Sequence, residues 1–337
     1  MKPMKPMAVA VLGLVLGMMA SANAQITTTD TFGSGGDAFT INFVNVGNPG
    51  NPDDSGTTGS YFTPYGGVAY EFRMGTYEVN RDAITKANAQ GGLGITLADM
   101  TSYGGNGVNR PATGVSWNGA ARFVNWLNTS TGFSAAYKFT SQPGDVGYNA
   151  NANIELWTSG DAGYNASNLY RNANAYYFLP SEDEWYKAAY YSGTGSTYFD
   201  YATQQDAPST PTAVSGGTGA SEAVYAQAFA TGPADIDNAG GLSHYGTMGQ
   251  NGNVWEWNES AFTAPNDSSS EDRAIRGGNW FNTELNLRSS ISNYGNPTLG
   301  DNYIGFRVAS VPEPSAAMLL LMAGGAWLLR RRSSRSL

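Results

Sequence analysis

The stretch Gly249-Gln250-Asn251-Gly252-Asn253-Val254-Trp255-Glu256-Trp257-Asn258-Glu259-Ser260 sets two indoles on either side of one carboxylate, behind a run of glycine and asparagine. Three readings compete for it: a catalytic loop, a cation cradle and a signature of the fold. Large aromatics dominate core packing, so Trp255 and Trp257 read first as buried rings. The glycines and asparagines ahead of them read as tight turns. What the rest of the chain supplies decides among the three.

Composition removes most catalytic chemistry. The 337 residues include no cysteine and a single histidine, His244. Thiol nucleophiles, thiolate metal sites and haem attachment are thereby excluded, and Ser-His-Asp triads and multi-histidine metal sites very nearly so. Residues 25–310 carry 26 acidic and 12 basic side chains. An excess of that sign repels nucleic acid and anionic lipid surfaces, so neither is expected as a partner of this span, while divalent cations are tolerated. A span of this length can bury a core without disulfides.

The two ends read as addresses rather than as fold. Residues 1–24 open with Lys2 and Lys5, run apolar over 8–20 and close on Ala22-Asn23-Ala24, the pattern of a secretory signal peptide. At the other end, in 311–337, Pro312-Glu313-Pro314 precedes a mostly apolar segment, 315–329, and the cluster Arg330-Arg331-Arg332. As a helix that segment spans about 22 Å, short of a hydrocarbon core of about 30 Å; Trp327 and the arginines are suited to anchor it at the interface. The tripartite order resembles a PEP-CTERM sorting signal. The resemblance implies exosortase-type sorting machinery as a partner, membrane attachment through the C-terminal segment before processing, and a destination at the cell surface or in the extracellular matrix.

Within 25–310 the expected elements are few. Asp37 to Val46 alternates apolar and polar residues as a half-buried strand does, and Val68 to Val79 reads as a second strand. Ser116 precedes Trp117, Ala120, Ala121, Val124 and Leu127, a spacing that lays one apolar stripe along a helix, widened by Phe123 and Trp126. Ser181 and Glu184 form a capping box, with Glu182, Asp183 and Glu184 in the first turn against the helix dipole, so these acids read as caps rather than catalysts. From Tyr191 to Ser243 the text is loop-like.

Five segments then fall into a recognisable order: Tyr77-Glu78-Val79-Asn80; Arg110 to Trp117 (RPATGVSW); Leu179 to Trp185 (LPSEDEW); Gly252 to Trp257 (GNVWEW) followed by Arg276-Gly277-Gly278-Asn279-Trp280; and Gly305-Phe306-Arg307-Val308. The ordered set resembles the formylglycine-generating-enzyme, or sulfatase-modifying factor, family over about residues 40–309. The resemblance implies an α+β single domain of low secondary-structure content, related to C-type lectins. It also implies a catalytic copper held by two thiols in the stretch that is here 279–304, which contains no cysteine. Relatives that oxidise with iron use several histidines. Family members carry calcium beside GNVWEW; mapped here, Glu256 and the carbonyls of Gly252 and Val254 remain, the upstream ligand position is Gly249, and Asn251 is the nearby oxygen donor. Asp235-Ile236-Asp237-Asn238 is a second cluster of oxygen donors. Arg276 and Arg307 are expected to hold carboxylates or carbonyls inside the fold.

These readings converge on a non-catalytic surface module that binds an exopolysaccharide or a surface protein, its 20 tyrosines offering stacking faces in loops, with calcium as the one cofactor in view. The alternative is an oxidative enzyme of the same scaffold with different chemistry, in which Glu256 and Glu259 act as an acid–base pair.

Overall fold

The computed structural model describes residues 27–56 and 64–312. The stretch 1–24 that reads as a leader, Glu313, Pro314, the segment 315–329 and the arginines at 330–332 lie outside the described residues. β1 (Thr27–Phe32) and β2 (Phe39–Val46) form an antiparallel hairpin registered Phe32 to Phe39. β3 (Phe72–Gly75), α1 (Arg81–Gly91), α2 (Trp117–Ser130) and the two-residue pair β4 (Lys138–Phe139) and β5 (Ile154–Glu155) follow. Next come β6 (Tyr177–Phe178), α3 (Glu182–Tyr190), and the parallel pair β7 (Thr212–Val214) and β8 (Glu222–Val224). The remainder supplies β9 (Trp255–Ala261), β10 (Arg273–Arg276), β11 (Asn293–Gly295), β12 (Ile304–Gly305) and β13 (Ala309–Ser310).

Two sheets organise these pieces, one ordered β1-β2-β3-β13-β6 and the other β11-β10-β9-β12. α1 packs on β2 and α2, α2 on β6, and α3 on β9. The result is the α+β single domain that the motif order implies. Trp117, Trp185, Trp257 and Trp280 are wholly buried. Two of them cross-link the elements: Trp117 of α2 donates its indole N–H to the Asn258 carbonyl (2.8 Å), and Trp257 of β9 donates to the Val115 carbonyl (3.0 Å). Each indole thus buries its ring while its polar edge stays satisfied. The tryptophans of the opening stretch are therefore structural.

The local signals act as read. Ser116 caps α2 by accepting from the Gly119 N–H, and the stripe Trp117, Ala120, Ala121, Val124 and Leu127 is buried with Phe123, while Trp126 is half-buried. At α3 the Ser181 hydroxyl accepts from the Glu184 N–H (3.2 Å) and the Glu184 carboxylate accepts from the Ser181 N–H (2.6 Å). Ser181→Ala is expected to lower stability by about 1 kcal/mol, read as a shift in the urea midpoint at unchanged slope.

Three expectations need correction. The strand read over Val68 to Val79 is a ladder only over Phe72–Gly75. Its partner β13 offers two residues, and Asn80 must leave the sheet to cap α1 through the Ala83 N–H (2.9 Å). Tyr191 to Ser243 is not all loop, because it contains β7 and β8. Among the described residues the tyrosines are mostly not a stacking surface: Tyr137, Tyr170, Tyr186, Tyr190 and Tyr201 are wholly buried, and the strongly exposed ones are Tyr70 and Tyr294.

Candidate functional site

Glu256 and Glu259 lie on either side of a register shift between β9 and β10 and reach different partners. Parallel pairing of β12 with β9 sets Gly305 beside Glu256 and brings Arg307, two residues on, to the same face. Arg307 grips Glu256 with two prongs, Nη2 to Oε1 at 2.5 Å and Nε to Oε2 at 2.6 Å. Trp185 of α3 adds its indole N–H to Oε2 at 2.7 Å. The rest of the guanidinium reaches the carbonyls of Gly75 (2.9 Å) and Met248 (2.8 Å). Both partners are completely buried.

This pair bears directly on calcium. Glu256, the one carboxylate of the mapped set, is already neutralised by a guanidinium. Asn251 accepts from the Ala202 N–H (3.0 Å) and donates to Thr203 Oγ1 (3.0 Å), so its amide is committed to the fold. The carbonyls of Gly252 and Val254 add two neutral oxygens at most, and the Val254 side chain is packed in the core. Calcium takes six to eight oxygens, and these residues do not fit it. At the second oxygen cluster, Asp237 accepts from Asn109 Nδ2 (2.8 Å) at the surface. Among the described residues no three acidic or imidazole side chains converge as metal ligands.

Gly249 has a specific neighbour. Its φ of +81° is in the left-handed region, and a Cβ there would lie 2.7 Å from the carboxyl of Glu78. Glu78 is itself buried: Oε1 accepts from Asn253 Nδ2 (2.8 Å), and Oε2 is without a partner. Burial, reinforced by the nearby Glu256 carboxylate, pushes the Glu78 carboxyl up to about 8. The position that the resemblance assigns to a ligand side chain is thus the place where this chain packs a second acid.

The other motif charges are spent in the same way. Arg276 binds Glu182 (2.6 Å) and the carbonyls of Ser289 (2.8 Å) and Ile291 (3.1 Å). Arg171 bridges Glu184 (2.8 Å) and Glu259 (2.9 Å), and Tyr137 donates to Glu259 (2.7 Å). The acid–base pair imagined for Glu256 and Glu259 does not assemble, since each faces its own arginine. Arg171 belongs to none of the motifs. The signal that points to it is a deficit: the motifs bury more carboxylates than Arg276 and Arg307 can neutralise.

The stretch 279–304 is filled by protein rather than by metal donors. Trp280 anchors it through its indole N–H on the Phe229 carbonyl (3.0 Å), and Ser289 holds Asp200 and Arg276. Met100 and Met248 are not scattered as their separation suggests; they share the apolar cluster around Trp280, where Met248 Sδ accepts the Ala239 N–H (3.4 Å). With no thiol in the chain, this donor set does not fit copper. His244 packs edge-on to Tyr245, and burial lowers its pKa.

Two of the cavities among the described residues lie beside the helices and motifs discussed above. One, of about 390 Å³, opens between α2 and β4 and is walled by Trp126, Trp157, Tyr137, Phe139 and Leu93. Its arginine, Arg122, is turned away onto the carbonyls of Ser141 (2.9 Å) and Ala152 (2.9 Å) and stacks on Phe139. The other, of about 200 Å³, is polar and is lined by Tyr77, Glu78, Asn109 and Asp237 among others.

The arrangement is shared with known folds. The chain superposes on the Treponema denticola variable protein 1 with a TM-score of 0.57 at 18% identity, covering 84% of this chain and 99% of that one. For CarF the values are 0.54, 18%, 81% and 99%, and for PvdO from Pseudomonas aeruginosa 0.51, 19%, 84% and 98%. No curated protein matches the sequence. Residues 67–311 match the sulfatase-modifying factor enzyme 1-like domain, and the chain belongs to that family.

Proposed function

We propose that the chain is an exported cell-surface or extracellular-matrix protein that uses a sulfatase-modifying-factor scaffold as a non-catalytic binding module. The observation that carries this reading is the donor set of 279–304, which has no cysteine and whose Ser289 and Ile291 carbonyls are given to Arg276. Copper(I) needs soft sulfur ligands, and iron of the related oxidases needs several imidazoles. The leader at 1–24 supports export. Pro312-Glu313-Pro314, the apolar segment and Arg330-Arg331-Arg332 support exosortase-type handling, with membrane attachment before processing. The partner is an exopolysaccharide or a protein of the same matrix. The cavity walled by Trp126 and Trp157 supports the polysaccharide, because ligand pockets are mostly apolar and aromatic with a few polar groups at the rim.

Purified full-length protein is expected to carry substoichiometric copper and iron and to consume no oxygen with a cysteine-containing peptide. It is expected to bind matrix polysaccharide, with affinity falling roughly three- to tenfold in Trp126→Ala, the worth of one aromatic contact. Stoichiometric copper with turnover would restore the oxidative-enzyme reading.

A further inference from the structure

Gly91 has no backbone reason to be glycine. It is the last residue of α1, and the left-handed turn that ends the helix falls on Gly92, at a φ of +61°. Glycine is a poor helix residue, so its place one position earlier asks for another cause. A Cβ at Gly91 would lie 2.6 Å from Cδ1 and 2.9 Å from Nε1 of Trp126. Both residues line the 390 Å³ cavity, so the missing side chain keeps the pyrrole edge of the indole in place there. Phe39 backs the ring, with centroids 5.9 Å apart and 21° between planes. The Trp126 N–H has no partner among the described residues and is not cut off from solvent. Trp157, which also lines the cavity, has already given its N–H to the Ala136 carbonyl (3.0 Å).

The charges at this cavity are spoken for. Arg122 aims Nε, Nη1 and Nη2 at the carbonyls of Ala150 (3.2 Å), Ser141 (2.9 Å) and Ala152 (2.9 Å). Its guanidinium lies over the rings of Phe139 (3.8 Å) and Tyr148 (4.7 Å). Lys138 is held by Asp161 (3.0 Å) and Glu155 (3.7 Å). No carboxylate is among the lining residues. Lys138 also borders a shallow trough of about 530 Å³, together with Glu155, Thr158, Asp267 and Ser268. Cavity and trough therefore adjoin.

We propose that they take a neutral polysaccharide chain, one sugar ring entering against Trp126 and its neighbours lying in the trough. This rests on the reading of the protein as a polysaccharide-binding module and narrows it to one class. The polar groups left over suit hydroxyls, which donate and accept at once. The Trp126 N–H donates; Gln142 Oε1 accepts, its amide nitrogen being turned to the Phe139 carbonyl (3.3 Å). A purely apolar ligand would strip water from both and return nothing. A uronate chain would meet a lysine already held by two acids, and an overall excess of 26 acidic over 12 basic side chains in 25–310 repels it. An amino-sugar chain finds acids only in the trough, and its ammonium inside the cavity would face Arg122 and Lys138. The cavity volume falls within the range of about 300–1,000 Å³ typical of ligand pockets.

Calorimetry on the full-length protein compares cellotetraose and laminaritetraose, as neutral probes, with tetragalacturonate and deacetylated chitotetraose. A neutral probe is expected to bind at least about tenfold more tightly than either charged one, and about tenfold more tightly than glucose, which cannot reach the trough. Its affinity should change less than about twofold between about 50 and 500 mM salt. Gly91→Ala forces the indole aside, and Gln142→Leu removes the acceptor at the rim; each should weaken the neutral probe about three- to tenfold, with urea melts to show that the variant is folded. Tightest binding to a charged probe, glucose binding as well as the tetrasaccharides, or an affinity untouched by both substitutions would overturn the assignment and leave a polysaccharide-binding module standing. Absence of binding to all four oligosaccharides would remove both.

Discussion

Stability is expected to fall by on the order of 4 kcal/mol as pH rises from about 4.5 to about 8, and Glu78→Gln is expected to remove most of that slope. The folded chain holds the Glu78 proton up to about pH 8, because burial and the adjacent Glu256 penalise the charged form. The unfolded chain releases it near the ordinary glutamate value. Between those two values the folded state binds the extra proton, so each pH unit weakens folding by about 1.4 kcal/mol, and above the upper value the loss is complete. Asp183, which burial raises to about 6, adds a smaller slope of the same sign at the acid end. The difference between parent and Glu78→Gln isolates the one group. Urea melts at pH 5 and pH 9 provide the measurement: parallel loss in both proteins would mean that Glu78 is ionised in the folded state and neutralised by something else.

Arg307→Met is expected to cost about 3–5 kcal/mol, the usual result of removing one member of a buried ion pair. It strands the Glu256 carboxylate with only the Trp185 indole, and it removes the donors from the Gly75 and Met248 carbonyls. The double variant Glu256→Met/Arg307→Met should recover part of the loss, since two apolar side chains of similar size leave no uncompensated charge. A double-variant cycle by urea denaturation at pH 6 measures the coupling. Additive losses would indicate that the two residues matter only to their other partners.

How much of this was legible depended on distance along the chain. The α3 capping box and the α2 stripe are written in consecutive residues and could be read directly. Burial of Trp255 and Trp257 followed from their size alone. That Arg276 and Arg307 hold internal carboxylates was also expected, but their partners were not, because Glu182 is 94 positions from Arg276 and Glu256 is 51 from Arg307. Arg171 was missed because it sits in irregular chain outside every motif. Glu78 was read only as a landmark of the fold. Its meeting with Asn253, 175 residues away, depends on how two loops close over one another, which no local pattern encodes. The same closure turns Gly249 from a lost calcium ligand into the residue that makes room for an acid.

The position of β13 has a mechanical consequence. The last described strand is the fourth of five in its sheet, bonded to β3 on one side and to the edge strand β6 on the other, and Val311 still donates to the Tyr176 carbonyl (2.9 Å). β1, by contrast, borders only β2. Tension arriving through whatever follows Pro312 is therefore delivered to an interior strand held on both flanks, whereas tension at Thr27 meets a border that can unzip one bond at a time. A protein held from its C-terminal side is gripped by its stronger handle.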